Sequence, residues 1–353
     1  MEQYIGISRT GDLDEAVRGL QNPGFIMMIV SDKSIFADRV RQMEQKFPGV
    51  SCIGCVGQSY GGTEVIENGI MVSAFTGQVR AVADVFTEVS KAPVYRIRQF
   101  QKNVSSIQPG HEDTVLIDFC SGNDECVLTT MHSVLGDKKI PVTGGTAWEG
   151  LVSCNGIVYE DACAYAIVKN QSGKIKVYKE NIYSKTEMKH IVTKADPSTY
   201  KICELDGKPA GAVYREELGI SRDKVAKQTF ANPLGRCIGD EVYIISIKED
   251  EPDDSLVCFR KTNPKDVITI LKGADHEAIL NQTIASMKQD FSHISGIFSV
   301  NCIFRYYYFQ QINFVDEYFK KMASLGSHAG MIGQGEHFNS QHTNQTMTCV
   351  VFE

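Results

Sequence analysis

TVLIDFCSGNDECVLTTMHSVLGDKKIPVTGG, Thr114–Gly145, decides the fold class. Thr114–Cys120 is an apolar run short enough for a buried strand. Ser121-Gly122-Asn123 then breaks it, and Asp124–Gly136 predicts a helix. Ile140–Gly145 reads as a second strand that runs into two glycines. Strand, helix, strand is the grammar of an α/β sheet, in which the helix carries the chain back so that the strands lie parallel.

The same grammar occurs upstream. FIMMIV (Phe25–Val30) predicts a buried strand bounded by Asn22-Pro23-Gly24 and Ser31-Asp32. Ile35, Phe36, Val40, Met43 and Phe47 make one helical face, which Pro48-Gly49 ends. Val50–Val56 then enters glycines. Two strand pairs are expected beside these units: Gly69–Phe75 with Gln78–Thr87, turning at Thr76-Gly77, and Gly156–Val168 with Lys174–Tyr183, turning at Gln171-Ser172-Gly173. The repetition points to a loose internal duplication.

Beyond Lys194 the texture changes. A helix is expected over Lys208–Leu218, stopped by Gly219, and another over Asp275–Ser292. Strands are expected at Leu256–Arg260 and Gly296–Phe304, then a helical stripe of Tyr308, Ile312, Val315, Phe319 and Met322, and a last strand at Thr346–Phe352. The expected architecture is mixed α/β: two closely packed domains, 1–190 and 191–353, with mixed sheets covered by helices. Because strand pairs are present, the sheets are not purely parallel.

With 353 residues the chain exceeds what one core usually serves. Apolar residues at 42% and charged residues at 22% fit a globular chain. A net charge of −7 without a basic run argues against nucleic acid as partner. No apolar run approaches the roughly 20 residues of a membrane span. The first residues show no signal-peptide pattern, so a cytoplasmic location and eleven reduced cysteines are expected. Cys52 and Cys55 have C-x-x-C spacing, but strand residues three apart face opposite sides, so a shared redox or metal role is not expected.

The candidate site residues lie late in the chain. In GQGEHFNSQHTNQT (Gly333–Thr346), Glu336, His337 and His342 are chemically plausible zinc ligands, but they lack the tight spacing of zinc pairs on a helix or knuckle, and no further strong ligand is evident nearby. The preferred reading is a small-molecule pocket: Glu336 and His342 hydrogen-bond a ligand, and both are expected to face Arg305. Arg305 suits a carboxylate. Asn344 and Thr346 fix the loop. Gly54, Gly144 and Gly145 follow buried strands and permit close backbone approach. Trp148 lines a pocket or is simply buried. No cofactor and no metal are expected. The rival reading is a cysteine-dependent hydrolase or amidase, with Cys302 as nucleophile and His342 as its base.

Several phrases resemble one family. CELDGKPAGAVYREELG (Cys203–Gly219), NPLG (Asn232–Gly235), NCIFR (Asn301–Arg305) and GQGEHFNSQHTNQT resemble, in order, the signatures of the FIST C-terminal domain. IGCVGQSYGG (Ile53–Gly62) and PVTGGTAWEG (Pro141–Gly150) resemble glycine turns of the FIST N-terminal domain. Asn301 stands where serine is common, Gly211 and Ala212 replace larger residues, and Thr343 separates His342 from Asn344. The resemblance implies a stand-alone sensory module for small ligands, with amino acids or related metabolites the usual suggestion and a separate signalling protein as partner. A catalytic role is the less favoured reading and stays open. The third possible role is an interaction scaffold.

Overall fold

The computed structural model describes residues 1–110, 112–239 and 241–353. The chain is mixed α/β, as the sequence predicts. Its core is a triplication, one copy more than the sequence suggests. Each copy has an edge strand, a first strand, one or two helices, a second strand parallel to the first, a short hairpin, and a closing strand antiparallel to the first.

In the first copy these strands are Glu2–Ser8, Phe25–Val30, Cys52–Val56, the hairpin Gln58–Gly61/Glu64–Ile66, and Ile70–Thr76. In the second they are Val79–Thr87, Thr114–Cys120, Val142–Thr146, Val152–Cys154/Ile157–Tyr159, and Ala162–Asn170. In the third they are Ile175–Asn181, Gly296–Cys302, His328–Gly333, Glu336–Phe338/Gln341–Thr343, and Thr346–Phe352.

Each copy builds one sheet in the order edge, closing, first, second, and then lends its hairpin to another sheet. The first hairpin joins the third copy's sheet, the second joins the first, and the third joins the second. The exchange is cyclic, so the three sheets lock around one interior. Their inward residues form a single apolar core: Phe25, Met27 and Ile29; Val115, Ile117 and Phe119; Phe298 and Val300. Alternate residues face outward under helices, as the two-residue period of a strand requires. Asp32 starts the helix Lys33–Lys46 by accepting from Ser34 N at 2.8 Å.

Between the third copy's edge and first strands lies an insertion. It carries an eight-stranded antiparallel sheet running from Glu241–Ile245 through the long strand Tyr183–Asp196 to Ile247–Asp250. The helix Ala210–Leu218 ends at Gly219, whose φ is +62°, the expected left-handed cap. Gln345 ties this unit to the core. Its amide donates to Ser246 Oγ at 2.6 Å, and Tyr183 OH donates to its Oε1 at 2.7 Å.

Two expected strand pairings do not form. Ile70–Thr76 pairs with Glu2–Ser8 and Phe25–Val30, whereas Val79–Thr87 pairs with Ala162–Asn170 in another sheet. Likewise Ala162–Asn170 and Ile175–Asn181 belong to different sheets. The tight turns are real, but both edges of each closing strand are taken by the edge and first strands of its own copy, so the turn passes the chain between sheets. The stripe from Tyr308 to Met322 is two helices, Ile303–Gln311 and Val315–Ala323, with Asn313 between them at φ +56°. Cys52 and Cys55 face opposite sides, and all eleven cysteines are free.

The triplication leaves one chemical signature. Met28 pairs with Gly54, Asp118 with Gly144, and Ser299 with Gly330, at the same register of the first and second strands. On the far side of these glycines stand the hairpin residues Ser153, His337 and Tyr60. A Cβ on Gly54 would lie 2.6 Å from Met28 O, and one on Gly144 or Gly330 would strike the backbone oxygen of Asp118 or Ser299. Each glycine therefore opens a slot in which an outward side chain of the first strand meets one from the borrowed hairpin.

Candidate functional site

Two of the three slots hold polar pairs. In the third copy's slot, Tyr60 OH contacts Ser299 Oγ at 2.7 Å, and Ser299 Oγ contacts His328 Nε2 at 2.7 Å. Asn301 donates to Tyr60 OH at 2.8 Å and to Tyr318 OH at 2.9 Å. Arg305 Nε donates to Asn301 Oδ1 at 3.1 Å, and Arg305 forms an ion pair with Glu180, both side chains being fully buried. The network is sealed by Phe309, Tyr318 and Phe319, so it reads as structure.

Burial pushes His328 down to about 3. A histidine held neutral in the fold but titrating near 6.5 when unfolded favours folding above pH 6.5, and that contribution falls as pH drops towards 3. His328→Gln should therefore flatten the stability–pH curve of the chain between pH 6.5 and 3, by up to about 1.4 kcal/mol per pH unit. Chemical denaturation of both proteins across that range measures it; parallel curves would reject the assignment.

The second copy's slot is different, because Asp124 and His342 beside it line a pocket at the surface. Asp118 sits in the middle of the apolar strand Thr114–Cys120 and is fully buried. His337 Nδ1 donates to Asp118 Oδ2 at 2.6 Å, and its Nε2 donates to Asp124 Oδ1 at 2.8 Å. Thr146 Oγ1 also donates to Asp124 Oδ1, at 2.9 Å. Burial alone would lower the His337 pKa, but Asp118 and Asp124 outweigh it and hold it well above the ordinary value. Burial would likewise raise Asp124, and the imidazoles with Thr146 hold it well below the usual carboxylate range. Burial pushes His342 down to about 4, so near neutral pH the His337 cation carries that effect.

His342 stands across the hairpin from His337, with ring centroids 5.7 Å apart. Its edge is partly exposed, while its Nε2 is enclosed and has no hydrogen-bond partner among the described residues. Gly335 makes room for the ring, since a Cβ there would collide with Nε2. Above them lies a pocket of about 130 Å³, lined by Asn123, Asp124, Glu125, the exposed thiol of Cys126, Tyr200, Phe259, Arg260, Lys261 and His342. Arg260 Nη2 donates to Glu125 Oε1 at 2.6 Å, and Nη1 donates to the His342 carbonyl. The pocket lies beyond the carboxyl end of Thr114–Cys120 and at the start of helix Asp124–Leu135, where open α/β sheets place their ligands. A groove of about 500 Å³ beside Thr114, Ile140 and Phe291 lies at the other end of that strand, away from the His337 cluster.

The two glycine-rich halves now meet. The family model of the FIST N domain matches residues 24–208, and that of the FIST C domain matches residues 210–339. The chain belongs to the FIST family. No curated protein matches it. FIST domains are sensory, small-ligand-binding domains of signal transduction. In this FIST chain the pocket wall combines Asn123–Glu125 from the first matched segment with Phe259–Lys261 from the second. Among the described residues no helix is long and apolar enough to cross a membrane.

The anticipated site residues divide into two groups. Glu336 and His337 are neighbours on one strand, so they face opposite sides. Glu336 is fully buried, accepts from Thr346 N at 3.0 Å and Thr346 Oγ1 at 2.7 Å, and lies beside Cys302 and Arg305. Burial raises it to about 8. Cys302 is pushed well up, first by burial and then by Glu336, which is the reverse of an activated thiolate. His342 lies with His337 on the other side. Gly144 forms the slot beneath Asp118, Gly145 packs under the Gly335 carbonyl, and Gly54 lies in the first copy's slot, where Met28 replaces the acid. Asn344 Nδ2 donates to Gln334 O at 3.5 Å. Trp148 Nε1 donates to Ile332 O at 2.7 Å, joining two sheets.

Asp118, Asp124 and Arg260 were not among the anticipated residues. Asp118 had a signal: a carboxylate inside an otherwise apolar buried strand needs a partner. Asp124 and Arg260 had none, because their neighbours in space are about 80 to 220 residues away in sequence.

Proposed function

We propose that this chain is a cytoplasmic sensory module that binds a small zwitterion, an α-amino acid or close relative, in the pocket above His342, and signals through a separate protein. The charge pairing of the pocket carries this reading. Lys261 and the remaining N–H donors of Arg260 suit a carboxylate, and Glu125, which Arg260 holds at 2.6 Å, suits an ammonium group. Tyr200 and Phe259 supply an apolar wall for a short side chain. A volume of about 130 Å³ suits a ligand of amino-acid size and is too small for a nucleotide. Arg305 and Glu336 stand outside this pocket, and Arg305 is fully buried against Glu180, where no ligand reaches it.

A thermal-shift screen of the full chain against single amino acids tests it. At least one should raise the melting temperature, and Arg260→Ala should abolish that shift while Arg305-side contacts remain intact. A shift that persists unchanged in Arg260→Ala, or no shift with any amino acid, would reject the proposal.

A further inference from the structure

Beneath the pocket three potential ligand atoms converge. Asp124, His337 and His342 each offer one, all within 4.8 Å of one another. The carboxylate comes from the start of a helix in the second copy, and the two imidazoles come from paired positions of the third copy's hairpin. We propose that Asp124, His337 and His342 bind a divalent transition-metal cation of the zinc class, with Asp118 fixing the orientation of His337.

Four observations support the assignment. The donor set is two imidazoles and one carboxylate, which suits zinc, iron(II) or cobalt(II) and leaves further coordination positions open. His337 already makes the contact that metal-bound histidines usually make on their other nitrogen: Nδ1 donates to Asp118 Oδ2 at 2.6 Å, which directs Nε2 towards Asp124. The cation takes the place of the proton shared between Nε2 and Asp124. His342 Nε2 is enclosed and unpartnered among the described residues, an expensive arrangement for a polar nitrogen without a ligand. Finally, Gly144 and Gly335 remove the side-chain bulk that would close the space beside Asp118 and His342. The two other slots lack the set: one holds Met28 with Ser153, and the other Ser299 with Tyr60.

The site is tested with metal alone, so its outcome is independent of amino-acid binding. The purified full chain is stripped of metal, then titrated with Zn²⁺ by calorimetry and with Co²⁺ by visible absorption. One equivalent should bind. His342→Ala and Asp124→Asn should each weaken binding at least tenfold, and Asp118→Asn by about 10- to 100-fold. Because the chain is rich in thiols, the Co²⁺ spectrum should show ligand-field bands without a thiolate charge-transfer band, and Cys126→Ser should bind as the wild type does. His342 is partly exposed, so its variant should fold even if one at His337 does not. No binding, equal binding in the His342 and Asp124 variants, or a thiolate band removed by Cys126→Ser would each overturn the site.

Discussion

Arg305→Met should destabilise the folded chain by about 3–5 kcal/mol. Arg305 and Glu180 are both fully buried, and the guanidinium also stacks on Phe309, 4.6 Å from the ring centroid. Removing only the cation leaves Glu180 charged in an apolar cluster that contains Met347, Cys349 and Tyr318. A methionine fills much of the volume, so the loss is electrostatic rather than a cavity. The double variant Glu180→Leu/Arg305→Met should recover most of the stability, because paired replacement of a buried ion pair by apolar residues is often neutral or better. Equilibrium denaturation of the single and double variants measures both. A single variant as stable as the wild type, or a double variant no better than the single, would show that the pair is not isolated as described. The same experiment addresses function: a ligand-gripping Arg305 would have to break this pair first.

Gly144→Ala should be as severe, about 3 kcal/mol or more, which is the upper range for overpacking a rigid site. The new Cβ would meet the backbone oxygen and the carboxylate of Asp118, and neither can retreat. The carbonyl belongs to a central strand paired on both sides, and the carboxylate is held by His337. Gly330→Ala should behave alike, because it meets Ser299 O in the equivalent slot. Gly239→Ala is the contrast: its φ is +58° but open space surrounds it, so only a modest backbone cost is expected. Thermal melts of the three variants test the triplication directly. If Gly144→Ala and Gly330→Ala melt within a few degrees of Gly239→Ala, the slots are not the rigid features described.

Much of the site was legible in part. GEHFNSQH marks itself by composition, and two of its residues, His337 and His342, do meet. What it lacked was the third ligand, and Asp124 reaches it from 213 residues away. Sequence alone does not separate Glu336 from His337, because both are polar and adjacent. Only the strand's orientation decides which one faces Asp118. The apolar run Thr114–Cys120 contained the clue in Asp118, whose burial is tolerable only with a partner that the local sequence does not show.

Local sequence determined the elements themselves. Apolar runs made the strands, Asp32 and Asp275 the helix starts, Gly219 a helix end, and the order of glycine phrases the family. These depend on contacts within a few residues, so they can be read in line. The tertiary structure alone decided the third copy, the cyclic exchange of hairpins and the meeting of Asp118, Asp124, His337 and His342. The insertion hides the third repeat by separating Ile175–Asn181 from Gly296–Cys302. A tight turn fixes only a change of direction. Which sheet receives the next strand depends on which edges remain unpaired, and that is a property of the assembled fold.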